Sequence, residues 1–254
     1  KVVNIGAITA STLLFALPDP AQAQEAITHA ASEEETSVSL DEVEVTASRA
    51  PMALNQAARI VTVISAREIA AAPVTSIQDL LEYAAGVDVR QRGEGGTQAD
   101  ISIRGGTFDQ IAVLLNGVNL SNPQTGHYSF DIPVNLSDIE RIEIISGPAS
   151  RIFGASAFAG AINILTKAKG EKVITTDVYA GMHEWWKLEA GINHQSGNFS
   201  QRLSAGYNSS GGYTGNTDFG ILNLFWQGVA RTDGADLSFQ AGINDKGYGA
   251  NSFY

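Results

Sequence analysis

Two glycine-rich stretches and four histidines are the residues whose types and spacing could carry chemistry in this sequence. The stretch GPASRIFG, at 147–154, lacks the Gly-Lys-Ser/Thr ending of a phosphate-binding loop. The stretch GASAFAG, at 154–160, lacks the glycine two residues after Ser156 that a nucleophile elbow requires. The histidines are far apart in sequence and form no metal-ligand motif: His29, His127, His183 and His194. We therefore expect no enzyme, and we interpret the glycines as sites of tight turns and close backbone packing.

Composition narrows the function classes further. The chain has 254 residues, of which 44% are hydrophobic, so it is long enough for one large domain or two ordinary ones. It contains no cysteine and has a formal net charge of −11. These values disfavour a disulfide scaffold, a thiolate metal site, a catalytic cysteine and a general nucleic-acid-binding surface.

The beginning of the sequence predicts a signal peptide at residues 1–23. An apolar run ends in PDPAQAQ, where Ala21 and Ala23 have the small-x-small spacing that a signal peptidase accepts. The alternative is a buried or membrane-spanning helix, but the run is shorter than the ~20 apolar residues that a bilayer requires. Lys1 is not a methionine, so we interpret the start as clipped. Residues 24–40 are too polar to bury a core and predict a flexible tether, which the resemblance described below would place in the periplasm.

The stretch DEVEVTASRAP, at 41–51, has the alternation of a short β-strand. Three small apolar residues alternate with polar ones before Pro51 interrupts the pattern: Val43, Val45 and Ala47. A lone strand on a tether has unpaired backbone groups and can add itself to the sheet edge of another protein. The alternative is an edge strand of the following domain.

Residues 52–170 predict a small α+β domain. ARIVTVIS is typical of a strand, and Ser65 with Glu68 forms a capping box that begins a short helix. Ser76 and Asp79 begin a second helix, which Gly86 ends. The buried face of that helix is predicted to be Ile77, Leu80, Leu81 and Ala84. Turns rich in glycine and asparagine separate further strand candidates: VDVRQ, ADISIRGG, IAVLLNGVNL, IERIEIISG and GAINILTK.

From residue 171 to residue 254 the apolar residues recur with a period of two. Five segments of roughly ten residues are apolar on one face and small or polar on the other, as in strands of a membrane β-barrel: VITTDVYAG, WKLEAGINH, FSQRLSAGYN, FGILNLFWQGV and ADLSFQAGIN. The fourth is apolar on both faces, so its facing is open. A soluble β-sandwich alternates too, but here short turns alternate with a long one, as between periplasmic turns and outer loops. Five strands cannot close a barrel, so we interpret the sequence as a fragment.

The domain at 52–170 resembles the plug domain of TonB-dependent transporters. The segments that carry the resemblance occur in the order and spacing of that domain: SIQDLLEYAAGVDV, ISIRGG, VLLNGVNL and IERIEIISGPASRIFGASAFAGAINILTK. Residues 41–50 resemble the TonB box that precedes the plug. The resemblance implies an α+β plug followed by the first strands of an antiparallel, 22-stranded transmembrane β-barrel in the bacterial outer membrane. Small residues at 153–161 would then let the plug backbone approach the barrel wall.

The resemblance also implies partners and sites. TonB, with its inner-membrane energising complex, would bind Glu42, Val43, Glu44, Val45, Thr46 and Ala47. Plug arginines would face acidic residues of the barrel, with Arg104, Arg141 and Arg151 as candidates, and the alternative for each is an exposed ion pair. Outward plug loops would contact the ligand through Arg92, Gln98, Asn122, Gln124, His127, Tyr128 and Phe130. No cofactor and no metal is implied for the chain itself, and the only candidate for calcium is the outer loop near Asn216 and Asp218.

The expected function is TonB-dependent import of a large scarce ligand, with cobalamin first and a ferric siderophore or haem second. The polar and aromatic side chains of the plug loops suit a large hydrogen-bonding ligand that also presents flat surface. Outer-membrane lipid would surround the wall, and a surface lipoprotein is a possible further partner. Two other classes stay open, a passive porin and a secreted β-rich binding module.

Overall fold

The computed structural model describes residues 44–45, 52–53, 60–122, 126–167 and 173–251. The predicted signal peptide at 1–23 and tether at 24–40 lie outside the described residues, as do Glu42, Val43, Thr46, Ala47 and Gln124. Two short strands, β1 (Glu44–Val45) and β2 (Met52–Ala53), pair antiparallel through Glu44 with Ala53 and Val45 with Met52. Among the described residues, no helix combines the length and the apolar character needed to cross a membrane.

The described part of the plug region contains a five-stranded mixed sheet, a separate two-stranded hairpin and three short α-helices. Its elements, in chain order, are β3 (Ile60–Ser65), α1 (Ala66–Ala71), α2 (Ile77–Leu81), β4 (Val87–Gln91), β5 (Ala99–Ile103), β6 (Ile111–Leu115), β7 (Val118–Asn119), β8 (Ile139–Ser146), α3 (Ser150–Phe153) and β9 (Gly160–Thr166). The larger sheet has the order β3-β8-β9-β6-β7, in which only the β6–β9 pair is parallel. The hairpin is β4–β5.

The capping boxes predicted from the sequence are confirmed. Ser65 Oγ accepts a hydrogen bond from the Glu68 backbone N–H, and Ser76 Oγ accepts one from that of Asp79. The predicted apolar face of α2 is buried and packs in the main core with strand residues such as Ile101, Val113 and Ile144. Helix α2 ends at Leu81, and Gly86 follows in the left-handed region with φ +80°.

One predicted strand is in fact a hairpin. Residues 111–120 form β6 and β7 because Asn116 and Gly117 turn the chain with φ angles of 51° and 81°. Asn-Gly favours this turn since both residues tolerate the left-handed region. Helix α3 had no sequence prediction.

The small residues at 153–161 pack within the plug rather than against the described strands of the wall. Ala157 and Ala161 are fully buried in a second cluster with Leu114, Ile145 and Ala149. Close approach between the plug and the described strands occurs at Gly206 and Gly95, because those glycines leave room for side chains of the facing layer.

The chain then forms a second sheet, an antiparallel meander in sequence order. Its strands are β10 (Ile174–Ala180), β11 (Trp186–Ser196), β12 (Phe199–Ser210), β13 (Phe219–Arg231) and β14 (Asp236–Tyr248). Residues 181–185 and 211–218 connect strands at one end, called the outer end below, and residues 197–198 and 232–235 connect them at the other. We infer that the outer end faces the cell exterior, because it carries the longer connections.

The two faces of this sheet have opposite polarity. The plug covers a polar face that includes Lys187, Glu189, Arg202, Ser204 and Gln227, all of them buried. The opposite face exposes large apolar side chains, among them Trp186, Leu188, Leu203, Phe239 and Ile243. For strand β13 the sequence did not predict which face is buried. Its plug-facing residues are Phe219, Ile221, Phe225 and Val229. A soluble sandwich buries its apolar face, so this arrangement is that of a wall in lipid.

Candidate functional site: the outer face of the plug and its contacts with the sheet

Two plug loops carry most of the predicted ligand residues and lie at the outer end of the sheet. Plug loop A comprises residues 92–98 and plug loop B residues 126–131. Gly95 of loop A packs on Phe219, the first residue of β13, so that an added Cβ would lie 2.4 Å from Phe219 Cζ. Lys246, near the end of β14, donates hydrogen bonds to both loops. Register places Phe219 opposite Tyr248, so both contacts are at the same end.

Asp100, at the start of β5, joins the two loops. Its carboxylate accepts hydrogen bonds from Arg92 Nε at 3.0 Å and Arg92 Nη2 at 2.6 Å. His127 Nδ1 lies 2.7 Å from the other carboxylate oxygen. Burial raises the pKa of Asp100, but the hydrogen bonds from His127 and Arg92 outweigh it and hold that pKa below its ordinary value. Asp100 therefore stays ionised and fixes two side chains that the sequence predicted as ligand contacts.

The ring of Phe108 packs against loop B. Its ring lies 4.5 Å from the ring of His127, centroid to centroid, with an interplanar angle of 33°. An added Cβ at Gly126 would lie 2.5 Å from Phe108 Cδ2, so the loop backbone rests directly on this ring. Sequence reasoning missed both Asp100 and Phe108. The only signal was their position in segments next to predicted ligand loops.

The predicted ligand residues divide into two groups. Tyr128 and Asn122 are exposed, and Arg92 and His127 are partly exposed. Gln98 and Phe130 are buried in the plug, with exposed fractions of 6% and 8%, and Phe130 belongs to the main core. In the described conformation the plug itself covers these two side chains, so ligand contact by them stays a prediction. Gln124 lies outside the described residues.

Two cavities flank loop A where it meets the sheet. One has a volume of about 490 Å³ and is lined in part by Asp79, Glu94, Met182, Trp185 and Phe219. The other has a volume of about 430 Å³, and its lining includes Arg92, Thr97, Tyr213, Thr217 and Asn251. Both volumes are in the range of small-molecule sites, and both linings mix aromatic and polar groups.

A buried ion pair anchors the plug to the sheet. Asp138, in the plug, accepts a hydrogen bond of 2.7 Å from Arg202 Nε of β12 and another of 2.7 Å from Ser204 Oγ. Arg202 is 1% exposed and Asp138 is fully buried. Next to them Asn135 lies so close to Gly206 that an added Cβ would be 2.0 Å from Asn135 Oδ1. We call residues 134–138 the anchor segment.

The arginines predicted to face the wall form no ion pair with the five described strands of the wall, so barrel contacts by them stay a prediction. Arg141 bonds to Glu140 at 2.9 Å and to Glu143 at 3.0 Å, both on its own strand β8. Arg104 and Arg151 are exposed, and the five described strands of the wall place no acidic partner against them. The observed anchor has the opposite polarity from the expected one, because the arginine belongs to the sheet and the acid to the plug.

The predicted TonB box is described only in part. The backbone of Glu44 and Val45 pairs with that of Met52 and Ala53. At the calcium candidate, the backbone oxygens of Asn216 and Asp218 accept hydrogen bonds from Asn251 and Gly249 at 3.0 and 2.8 Å. Calcium binding there stays a prediction.

This combination of a mixed α+β domain packed on the polar face of a lipid-facing sheet defines a class of protein. Residues 53–161 match the family model described as TonB-dependent Receptor Plug Domain. Residues 53–161 therefore form a TonB-dependent receptor plug domain, and the chain is a protein of the bacterial outer membrane.

Particular relatives are similar to parts of the chain. The vitamin B12 transporter BtuB of Vibrio vulnificus (strain CMCP6) is 39% identical over 127 residues, which are 50% of this chain and 20% of that protein. BtuB of Vibrio cholerae serotype O1 (strain M66-2) is 31% identical over 140 residues, 55% of this chain and 23% of that protein. The matched region thus spans about a fifth of the length of these curated relatives.

Solved structures share the fold. The ferripyoverdine receptor FpvA of P. aeruginosa superimposes with a TM-score of 0.67 at 17% identity, covering 80% of this chain and 27% of that chain. The siderophore receptor PiuA of Acinetobacter baumannii gives a TM-score of 0.62 at 23% identity, covering 82% and 29%. At these identities the likeness concerns the fold alone.

Proposed function

We propose that this protein takes part in TonB-dependent import across the outer membrane, with cobalamin as the ligand. The observation that carries the choice of ligand is the 39% identity to a vitamin B12 transporter over 127 residues. The siderophore receptors resemble the chain only at the level of the fold. The proposal concerns a whole receptor, of which this chain covers the plug and five strands of the wall.

In the proposed mechanism the ligand binds at the outer end, over plug loops A and B. Tyr128 offers an exposed aromatic ring, and Arg92 and His127 offer hydrogen-bond donors that Asp100 holds in place. The loops and their flanking cavities supply both polar and flat apolar surface, which suits a corrinoid. The chain itself performs no chemistry on the ligand.

Residues 41–50 are the proposed docking strand for TonB. Glu44 and Val45 are the described residues of this segment, and their backbone pairs with β2 in the extended conformation that strand addition requires. TonB would transmit work from the inner-membrane proton gradient and remodel the plug so that the ligand passes.

A ferric siderophore is the second candidate, because the guanidinium of Arg92 lies partly exposed on the outer face and can donate to an anionic chelate. The other classes are less compatible with the geometry. A passive porin needs an open lumen, and a secreted module would not expose the apolar face of the sheet to water.

A deletion strain tests the proposal. Growth is measured with cobalamin as the limiting nutrient and, separately, with chelated iron, before and after complementation with the intact gene. We expect complementation to restore growth at low cobalamin and to leave growth on chelated iron unchanged. Restoration only on chelated iron would transfer the assignment to a siderophore, and restoration on neither would refute both ligands.

A further inference from the structure

Lys246 of β14 is a partly buried lysine whose ammonium group donates hydrogen bonds to the plug. Its side chain is 7% exposed. The ammonium nitrogen donates hydrogen bonds to the carbonyl oxygens of Gly96 and Thr97, at 3.1 and 3.2 Å, and to Asp131 Oδ1 at 2.7 Å. A lysine ammonium has three N–H donors, and here each has one acceptor. The three acceptors around Lys246 therefore match the three N–H donors of its ammonium group.

The acceptors of Lys246 belong to both plug loops. Gly96 and Thr97 lie in loop A, and Asp131 ends loop B. Asp100 makes the converse connection, because its carboxylate takes donors from Arg92 of loop A and His127 of loop B. Two opposite charges, one on the wall and one on the plug, thus cross-link the same two loops.

Loop A needs such support because its backbone is intrinsically permissive. Gly95 and Gly96 both occupy the left-handed region, with φ angles of 65° and 76°. The loop's own contacts near Gly96 include one hydrogen bond of 3.3 Å from Gln78 Nε2 to the Gly96 carbonyl. Without Lys246 the ordering of both loops would be lost in part, and a ligand would have to restore it on binding.

We propose that Lys246 is a positioning residue that holds plug loops A and B in their ligand-ready geometry and couples both to strand β14. The proposal rests on the proposed function for its effect on the ligand, but its structural part does not. Lys246 itself need not touch the ligand. Its role differs from that of the anchor segment, which fixes the plug through β12 and β13.

Amide hydrogen exchange on the receptor purified from outer membranes in detergent tests the structural part. In Lys246→Met we expect exchange in peptides covering 92–98 and 126–131 to accelerate about tenfold, as loss of hydrogen bonds to a charged group implies. Peptides from β8 should exchange at the wild-type rate. Unchanged exchange in either loop, or equal acceleration throughout the plug, would refute the proposal.

Two further variants make the test specific. Lys246→Arg retains a cation with several donors and should restore most of the protection in both loops. Asn244→Ser is the matched control, since Asn244 is on the same strand and face but bonds across the sheet to Asn223 at 2.7 Å. Acceleration of both loops in this control, equal to that in Lys246→Met, would contradict a role particular to Lys246.

The functional part is read from uptake of radiolabelled cyanocobalamin by intact cells. Lys246→Met should raise KM about tenfold and leave the maximal rate near the wild-type value, because ligand capture is impaired and TonB docking is not. A lower maximal rate with unchanged KM would refute this part. If wild type takes up no cyanocobalamin, the ligand assignment fails, while the exchange experiment still decides the role of Lys246.

Discussion

At the scale of single residues, charged groups organise the outer face of the plug. Asp100 forms hydrogen bonds with Arg92 and His127. Lys246 donates hydrogen bonds to two backbone carbonyl groups and to Asp131. The Asp100 carboxylate and the Lys246 ammonium are both partly buried. Each forms charge-assisted hydrogen bonds with the protein in place of hydrogen bonds with water. The side chains that a ligand would meet are therefore preorganised by residues that a ligand need not touch.

The low pKa of Asp100 makes its contribution depend on pH. Because that pKa is lower in the folded plug than in the unfolded chain, the stabilisation is complete above the ordinary aspartate value of about 3.9 and is lost as the pH falls below it. We expect Asp100→Asn to lower the free energy of unfolding of the plug at pH 7 by about 1.5–3 kcal/mol. Urea titrations of the wild type and of Asp100→Asn at several pH values measure the difference in their free energies of unfolding. This difference should shrink below pH ~4. A difference that stays constant to pH ~3 would contradict the assignment.

Gly95 provides a second test at this scale. Gly95→Ala should displace loop A, because the new methyl group would overlap Phe219 and the φ of 65° disfavours a side chain. Gly105→Ala is the matched control, since its φ is +84° but an added Cβ meets nothing within 4 Å. We expect the first variant to lose about tenfold or more in ligand affinity, measured by equilibrium binding, and the second to keep it. Equal losses of ligand affinity in the two variants would mean that backbone strain, and not contact with Phe219, causes the loss.

At the scale of elements, the anchor segment connects the plug to several strands of the wall. Asp138 bonds to Arg202 and Ser204 of β12, and Asn223 of β13 donates to the Val134 carbonyl at 3.3 Å. The Ser137 N–H donates to Glu189 of β11 at 3.1 Å. One short plug segment thus spans three neighbouring strands, which fixes the orientation of the plug against the sheet.

Asp138→Asn tests the anchor. The substitution leaves Arg202 buried beside a neutral group, so we expect the plug to lose about 3–5 kcal/mol of stability in urea titrations. Asp88→Asn is the comparison, because Asp88 pairs with Arg90 at 3.3 Å with both side chains more than half exposed. That exposed pair should contribute less than about 1 kcal/mol. Similar losses in the two variants would show that the anchor is not a strong connection.

At the scale of the whole molecule, the polarity of the second sheet decides where it can reside. Its plug-facing side buries charged and polar groups, and its other side exposes many large apolar side chains. In water that surface would cause aggregation, and in a bilayer it faces hydrocarbon. The plug thus satisfies the polar face while lipid covers the apolar one.

Two lysine substitutions on the side of β12 that faces away from the plug test this arrangement. Ala205 lies near the middle of the strand and Ser209 near its outer end. We expect Ala205→Lys to destabilise the membrane-inserted receptor by about 2–4 kcal/mol and Ser209→Lys by about 0–1 kcal/mol, since the cost of a charge falls toward the interface. Folding titrations into lipid vesicles measure both values. Equal costs would mean that this face does not lie across the bilayer.

The sequence by itself determined the features that depend on local chemistry. Periodicity of two marked the strands of the wall, Ser65 and Ser76 marked helix starts, and the plug segments appeared in order along the chain. Each of these follows from residues a few positions apart, whose spacing sets which face they share. Strand β13 was the exception, because apolar residues on both faces carry no such signal.

Only the tertiary structure decided how distant residues meet. Lys246 and Gly96 are 150 positions apart, Asp138 and Arg202 are 64 apart, and Asp100 and His127 are 27 apart. No local spacing relates such pairs, so sequence reasoning missed the Asp138–Arg202 pair, Asp100 and Lys246. Their partners are set by the packing of two layers, where a buried charge must find its counter-charge or remain costly to bury.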